Sequence, residues 1–200
     1  RSWWPRRVHI PAFARTSFFA AALDTAAAFS VIGLLMALSG SILHQVLEET
    51  SLLAVGGVVF VLMTASAVAQ VAMGRTSQRS QLRIGAVCML VGLGVIGLIV
   101  RIPSTVLLLA AVAVAGAGVG LIFKAGVSVA SAAAERDNRG EVLAVMFLAA
   151  YAGLVIPVVT VGLVLLVSPL SVVLPVFALV VMVTVGVAST LVLREQPDQR

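Results

Sequence analysis

Hydrophobic residues fall into six long runs: Thr16 to Leu38, Leu52 to Met73, Ile84 to Val100, Val106 to Ala133, Val142 to Val167 and Leu170 to Leu193. Each run is apolar all round and holds about 20 residues, enough to cross roughly 30 Å of hydrocarbon as a helix. Barrel strands fit less well, because they alternate apolar and polar positions over about ten residues. The pattern predicts an all-α, polytopic membrane protein with six transmembrane helices over 16–193, an N-terminal segment over 1–15 and a tail over 194–200. The polar connections are short, about a dozen residues after the first run, roughly ten after the second and about four to eight elsewhere, too short for an ATPase or kinase module.

Composition agrees with this reading. The chain is 61% hydrophobic and 10% charged, against roughly 45–50% and 25% for a soluble domain. Its net charge of +5 is unevenly placed. Arg1, Arg6, Arg7 and Arg15 precede the first run, Arg75, Arg79 and Arg83 separate the second and third, Arg136 and Arg139 the fourth and fifth, and Arg194 and Arg200 follow the sixth. Arg101 alone lies in an alternate loop, and the loop after the first run carries Glu48 and Glu49 without Lys or Arg. The positive-inside rule then places both termini in the cytoplasm of a cell membrane. Scattered over four loops, these arginines set topology and make no nucleic-acid surface. Trp3 and Trp4 beside Arg6 and Arg7 suit a cytoplasmic interfacial anchor. Cys88, the sole cysteine, reads as a packing residue, and His9 and His44 are too far apart for a metal site, so no cofactor is expected. No nucleophile motif points to an enzyme.

Within the runs, small and kinking residues mark helix contacts. Gly116 and Gly120 are four apart and form a groove for a neighbouring backbone. Pro157, between Gly153 and Gly162, removes a helix hydrogen bond and favours a kink. The sixth run, rich in Val and Leu, suits a helix with much of its surface in lipid.

Two ionisable residues lie deep inside runs, Asp24 in the first and Lys124, the only lysine, in the fourth. Each costs about 2.5–3.5 kcal/mol at a helix centre. At about 1.5 Å per residue they sit roughly 12 and 15 Å from the arginine-bearing end, so they are placed to meet directly or across water. Gly120, Lys124, Ser128 and Ser131 follow one helix face. The expectation is a translocation pathway lined by Asp24, Lys124, Ser128 and, more weakly, Gln70 with Ser66. The structural alternatives are a fixed ion pair, a snorkelling lysine, and interhelical hydrogen bonding by Gln70 and Ser66.

The segment Gly74-Arg75-Thr76-Ser77-Gln78-Arg79-Ser80-Gln81-Leu82-Arg83 resembles a second copy of the loop signature of the major facilitator superfamily, with Gly74, Arg75, Ser77, Arg79 and Arg83 at matching positions. Gln78 replaces the usual acid and Gln81 the usual glycine; the bland reading is that these arginines only set topology. Gly120 to Gly126, Arg139 to Val142 and Ala150 to Pro157 are similar to the tenth and eleventh helices of bacterial facilitators, some grouped with drug exporters. The resemblance implies the C-terminal six-helix half of a twelve-helix secondary transporter, with an inverted three-plus-three repeat. It implies cavity-lining first and fourth helices, a small-molecule substrate, efflux, a missing N-terminal half as partner, and protons as candidate coupling ion. The first residue, Arg rather than Met, fits a piece of a longer chain. The alternative is a non-transporting six-helix scaffold or accessory subunit, or a homodimer of halves.

Overall fold

A computed structural model describes residues 15–134 and 138–195; the Trp3 and Trp4 anchor, most of the N-terminal segment, Arg136 and the end of the tail lie outside the described residues. Six helices make up the described chain: α1 Arg15–Leu47, α2 Leu52–Ala72, α3 Gln78–Leu98, α4 Thr105–Ala133, α5 Arg139–Val164 and α6 Leu170–Glu195. All six are long and apolar enough to cross a membrane.

Two boundaries differ from the hydrophobic pattern. The first helix continues past Leu38 to Leu47, so its connection to α2 is only residues 48–51. Ser39, Gly40 and Ser41 weaken the apolar pattern there, but Ile42 and Leu43 are completely buried, and that packing outweighs poor local helix propensity. The chain leaves α1 through Glu48, at a left-handed φ of 54°, and the Glu49 N–H reaches back to the Leu43 carbonyl at 2.9 Å. The third helix starts at Gln78, because the Ser77 side chain accepts the Ser80 N–H at 3.2 Å as an N-cap. Arg79 and Arg83 therefore ride on the first turns of α3.

The helices pack as two interlocked triplets. α1 packs against α5 and α6, and α4 packs correspondingly against α2 and α3; α1 also meets α4, and α3 meets α6. Advancing every helix by three positions reproduces the same pattern, and a three-helix shift reverses the direction of crossing. This is the geometry of an inverted repeat, visible in the packing although the two halves of the sequence show no self-similarity.

Glycines let the main contacts close. A Cβ on Gly116 would lie 2.5 Å from the Leu62 carbonyl oxygen, and one on Gly120 would collide with the carbonyl of Ser66, both on α2. Gly118, on the opposite side of α4, meets Met89 and Gly85 of α3. The corresponding α1–α5 contact uses Gly33 against Leu154 and Gly153 against Ala26. Without a hydrophobic drive between helices in lipid, such backbone proximity is a main source of association.

α6 has two sides. Val173, Phe177, Val181, Val185, Ser189 and Val192 form a buried stripe along it, against α1 and α3, while Val172, Val176, Leu179, Val180, Val183 and Val187 leave much of its surface exposed. The least buried helix is α2, whose buried residues are Val58 and Leu62. Uniform apolarity does not distinguish a lipid-facing side from a protein-facing one, since both media are equally apolar.

The α1–α5 contact gives a direct test. Gly153→Val places side-chain atoms against the Ala26 backbone, so the thermal unfolding midpoint in detergent should fall, by the equivalent of about 1–3 kcal/mol of overpacking. Gly162→Val, at a position with no atom within 4 Å of a new Cβ, should change it by less than about 0.5 kcal/mol. Equal losses in both variants would contradict the proposed contact.

Candidate functional site

Successive residues on a helix point about 100° apart, and α1 uses this to divide its polar side chains between neighbours. Thr25 faces α4, beside Gly126, and its hydroxyl is returned to its own helix, donating to the Ala21 carbonyl at 2.8 Å. Asp24 faces α6. The residue is 1% exposed; Oδ2 accepts a 2.7 Å hydrogen bond from the Ser189 hydroxyl, while Oδ1 is buried with no hydrogen-bond partner among the described residues. One hydrogen bond is little for a carboxyl group removed from water.

Lys124 does not pair with Asp24. Its flexible stem carries the ammonium along α4 to the end of α2, where Nζ donates to the Gln70 carbonyl at 2.7 Å. That carbonyl lies in the last turn of α2, among the oxygens a helix leaves without intrahelical partners. The Gly74 N–H, which would be its regular partner, turns instead to Val71 at 3.0 Å. The lysine thus works as a C-terminal cap supplied by another helix. Of the expected alternatives, the ion pair is absent and the reach toward the arginine-bearing end is present.

The remaining polar candidates are similarly local. Ser128 donates to the Lys124 carbonyl at 3.0 Å. The Gln70 amide reaches the Ser66 hydroxyl at 3.4 Å, a contact within α2 rather than between helices; the interhelical bond at Gln70 comes from its backbone. Asp24, Lys124, Ser128 and Gln70 therefore form two separate sites, one at α1–α6 and one at α2–α4.

The second site continues into the arginine-bearing loop. Gln81, buried at the start of α3, donates its amide to the Met73 carbonyl at 2.8 Å and the Thr76 carbonyl at 3.0 Å. The glutamine that stands in place of a glycine thus ties the loop together. Arg75 and Arg83 are exposed and Arg79 is half-buried. A Cβ on Gly74 would lie 3.6 Å from Lys124 Nζ, so the lysine touches the first residue of the loop signature.

Three phenylalanines were not singled out by spacing. Phe29 of α1 and Phe123 of α4 have ring centroids 5.4 Å apart, and Phe123 lies 6.1 Å from Phe147 of α5. These tilted rings form a ladder across three helices next to Lys124, at distances typical of favourable aromatic pairs. Nothing local in sequence reveals such a ladder. Ser189 did leave a signal: it continues the spacing of Val181 and Val185 and so falls on the buried side of α6.

Comparison with curated proteins gives no match. Residues 16–200, nearly the whole chain, match the Major Facilitator Superfamily. Its members are transporters of small solutes rather than enzymes, and the six membrane-crossing helices are consistent with half of its fold. This chain belongs to the Major Facilitator Superfamily.

Proposed function

We propose that this chain is the C-terminal half of a secondary active carrier that moves a small solute by alternating access, coupled to protons through Asp24. The observation that carries the proposal is the Asp24 carboxyl, buried in a membrane-crossing helix with one hydroxyl donor and one unpartnered oxygen. A neutral, protonated carboxyl rests in that α1–α6 seam at modest cost. A carboxylate there calls for water or a cation at Oδ1. Gain and loss of a proton would favour different openings of the seam, and α1 also packs on α4 and α5. The arginine-bearing ends support a cytoplasmic location for both termini. The exposed apolar sides of α2 and α5, including Phe60, Met63, Leu148 and Tyr151, suit contact with a second six-helix unit.

Lys124 acts as a positioning residue in this scheme, holding the end of α2 and the loop that follows. The aromatic ladder of Phe29, Phe123 and Phe147 supplies an apolar wall where α1, α4 and α5 meet.

Two experiments separate these roles. In proteoliposomes of the complete carrier, a pH step of one unit supplies about 1.4 kcal/mol per proton, up to about tenfold in solute accumulation. Asp24→Asn should abolish that stimulation while leaving downhill flux measurable; full stimulation in the variant removes Asp24 from the coupling. For Lys124, a cysteine at the half-buried Gln70 position, in a Cys88→Ala background, reports opening of the α2 end. Lys124→Met should raise its thiol-labelling rate about tenfold or more, for a charged hydrogen bond worth ~1.5 kcal/mol or above. Unchanged labelling together with loss of solute binding would return Lys124 to the pathway.

A further inference from the structure

α5 and α6 are consecutive in sequence, yet they barely touch each other. The space between them is a slot of about 480 Å³, floored by Leu23 and Ala26 of α1, with Ile156 and Thr160 on one wall and Val176 and Val180 on the other. The wall side chains are exposed at the rim, so the slot is open along its outer side.

Its chemistry is almost wholly apolar. Among the described residues no charged side chain lines it. Three of its hydroxyls are spent on their own helices: Ser30 donates to Ala27 at 2.7 Å, Thr160 to Ile156 at 2.8 Å and Thr184 to Val180 at 2.8 Å. The remaining one, Ser168, sits at the end of the slot in the turn between α5 and α6. A ligand here meets hydrocarbon along its length and a hydroxyl only at the interfacial end.

Dimensions narrow the occupant further. Along α6 the slot extends from Val172 to Thr184, roughly 18 Å at helical rise, slightly more than one leaflet of a hydrocarbon core about 30 Å thick. The slot opens outward between exposed apolar side chains of α5 and α6, among them Ile156, Val172 and Val176.

We propose that this slot is a binding site for one acyl chain of a bilayer phospholipid, with the polar end of the lipid at Ser168 and the chain running inward along α1. A concave slot gives a hydrocarbon chain contacts on three sides, where a convex helix surface gives them on one. The lipid fills the gap that α5 and α6 leave between them.

The test uses the complete protein in nanodiscs of phosphatidylethanolamine doped with the same lipid carrying a diazirine in its acyl chain. After photolysis, peptide mapping should find label at Ile156, Thr160 and Val176 about fivefold above the exposed α3 positions Val87 and Val91. Val176→Trp, which fills the slot from an exposed rim position, should bring that excess to zero while the label on α3 stays constant. Equal labelling of the slot and α3 would overturn the site, as would an excess that survives Val176→Trp. Absence of label from the slot alone would overturn it in favour of a protein segment as occupant.

Discussion

A polar group inside hydrocarbon has no water to turn to, and that constraint organises this bundle. Hydroxyls in the apolar spans show the ordinary solution: Thr25, Ser30, Ser128, Thr160 and Thr184 each bond to a carbonyl three or four residues earlier on the same helix. Three other side chains bond across elements instead. Ser189 reaches Asp24, Lys124 reaches the end of α2, and Gln81 reaches the loop before its own helix. Their bonds add chemical direction that glycine contacts alone would not give these apolar rods.

The packing pattern explains why the two buried charges have separate partners. α1 and α4 occupy equivalent places in the inverted repeat, each packed against two helices from the other half of the sequence. Asp24 turns from α1 to α6; Lys124 turns from α4 to α2, whereas the helix equivalent to α6 for α4 is α3. The charges thus obey the repeat in their positions on hub helices and depart from it in their partners. Asp24 is left with an oxygen that has no hydrogen-bond partner among the described residues, while Lys124 sits half-buried with its Nζ on the end of α2.

Much of this was legible in the sequence. The number of helices, their membrane character and the importance of Gly116, Gly120 and Gly153 follow from composition and spacing, because a lipid-spanning helix must be apolar over a fixed length. The α1 extension was hidden, since Ser39 to Ser41 resemble a loop until tertiary burial of Ile42 and Leu43 is known. Which side of α6 is buried was hidden for the opposite reason, as valine serves lipid and protein contacts alike. Depth along the helix suggested that Asp24 and Lys124 could meet, but depth says nothing of azimuth, and their side chains leave their helices toward different neighbours. Gln81 looked like a departure from a signature; its two carbonyl bonds give it a definite structural place.

The central claim is that Asp24 and Lys124 perform independent tasks. A double-mutant cycle of Asp24→Asn and Lys124→Gln, read as the free energy of unfolding of the complete protein, tests it most directly. Independent sites predict effects that add to within about 0.5 kcal/mol; a coupling energy well above about 1 kcal/mol would show that the two charges act on each other and would contradict the account.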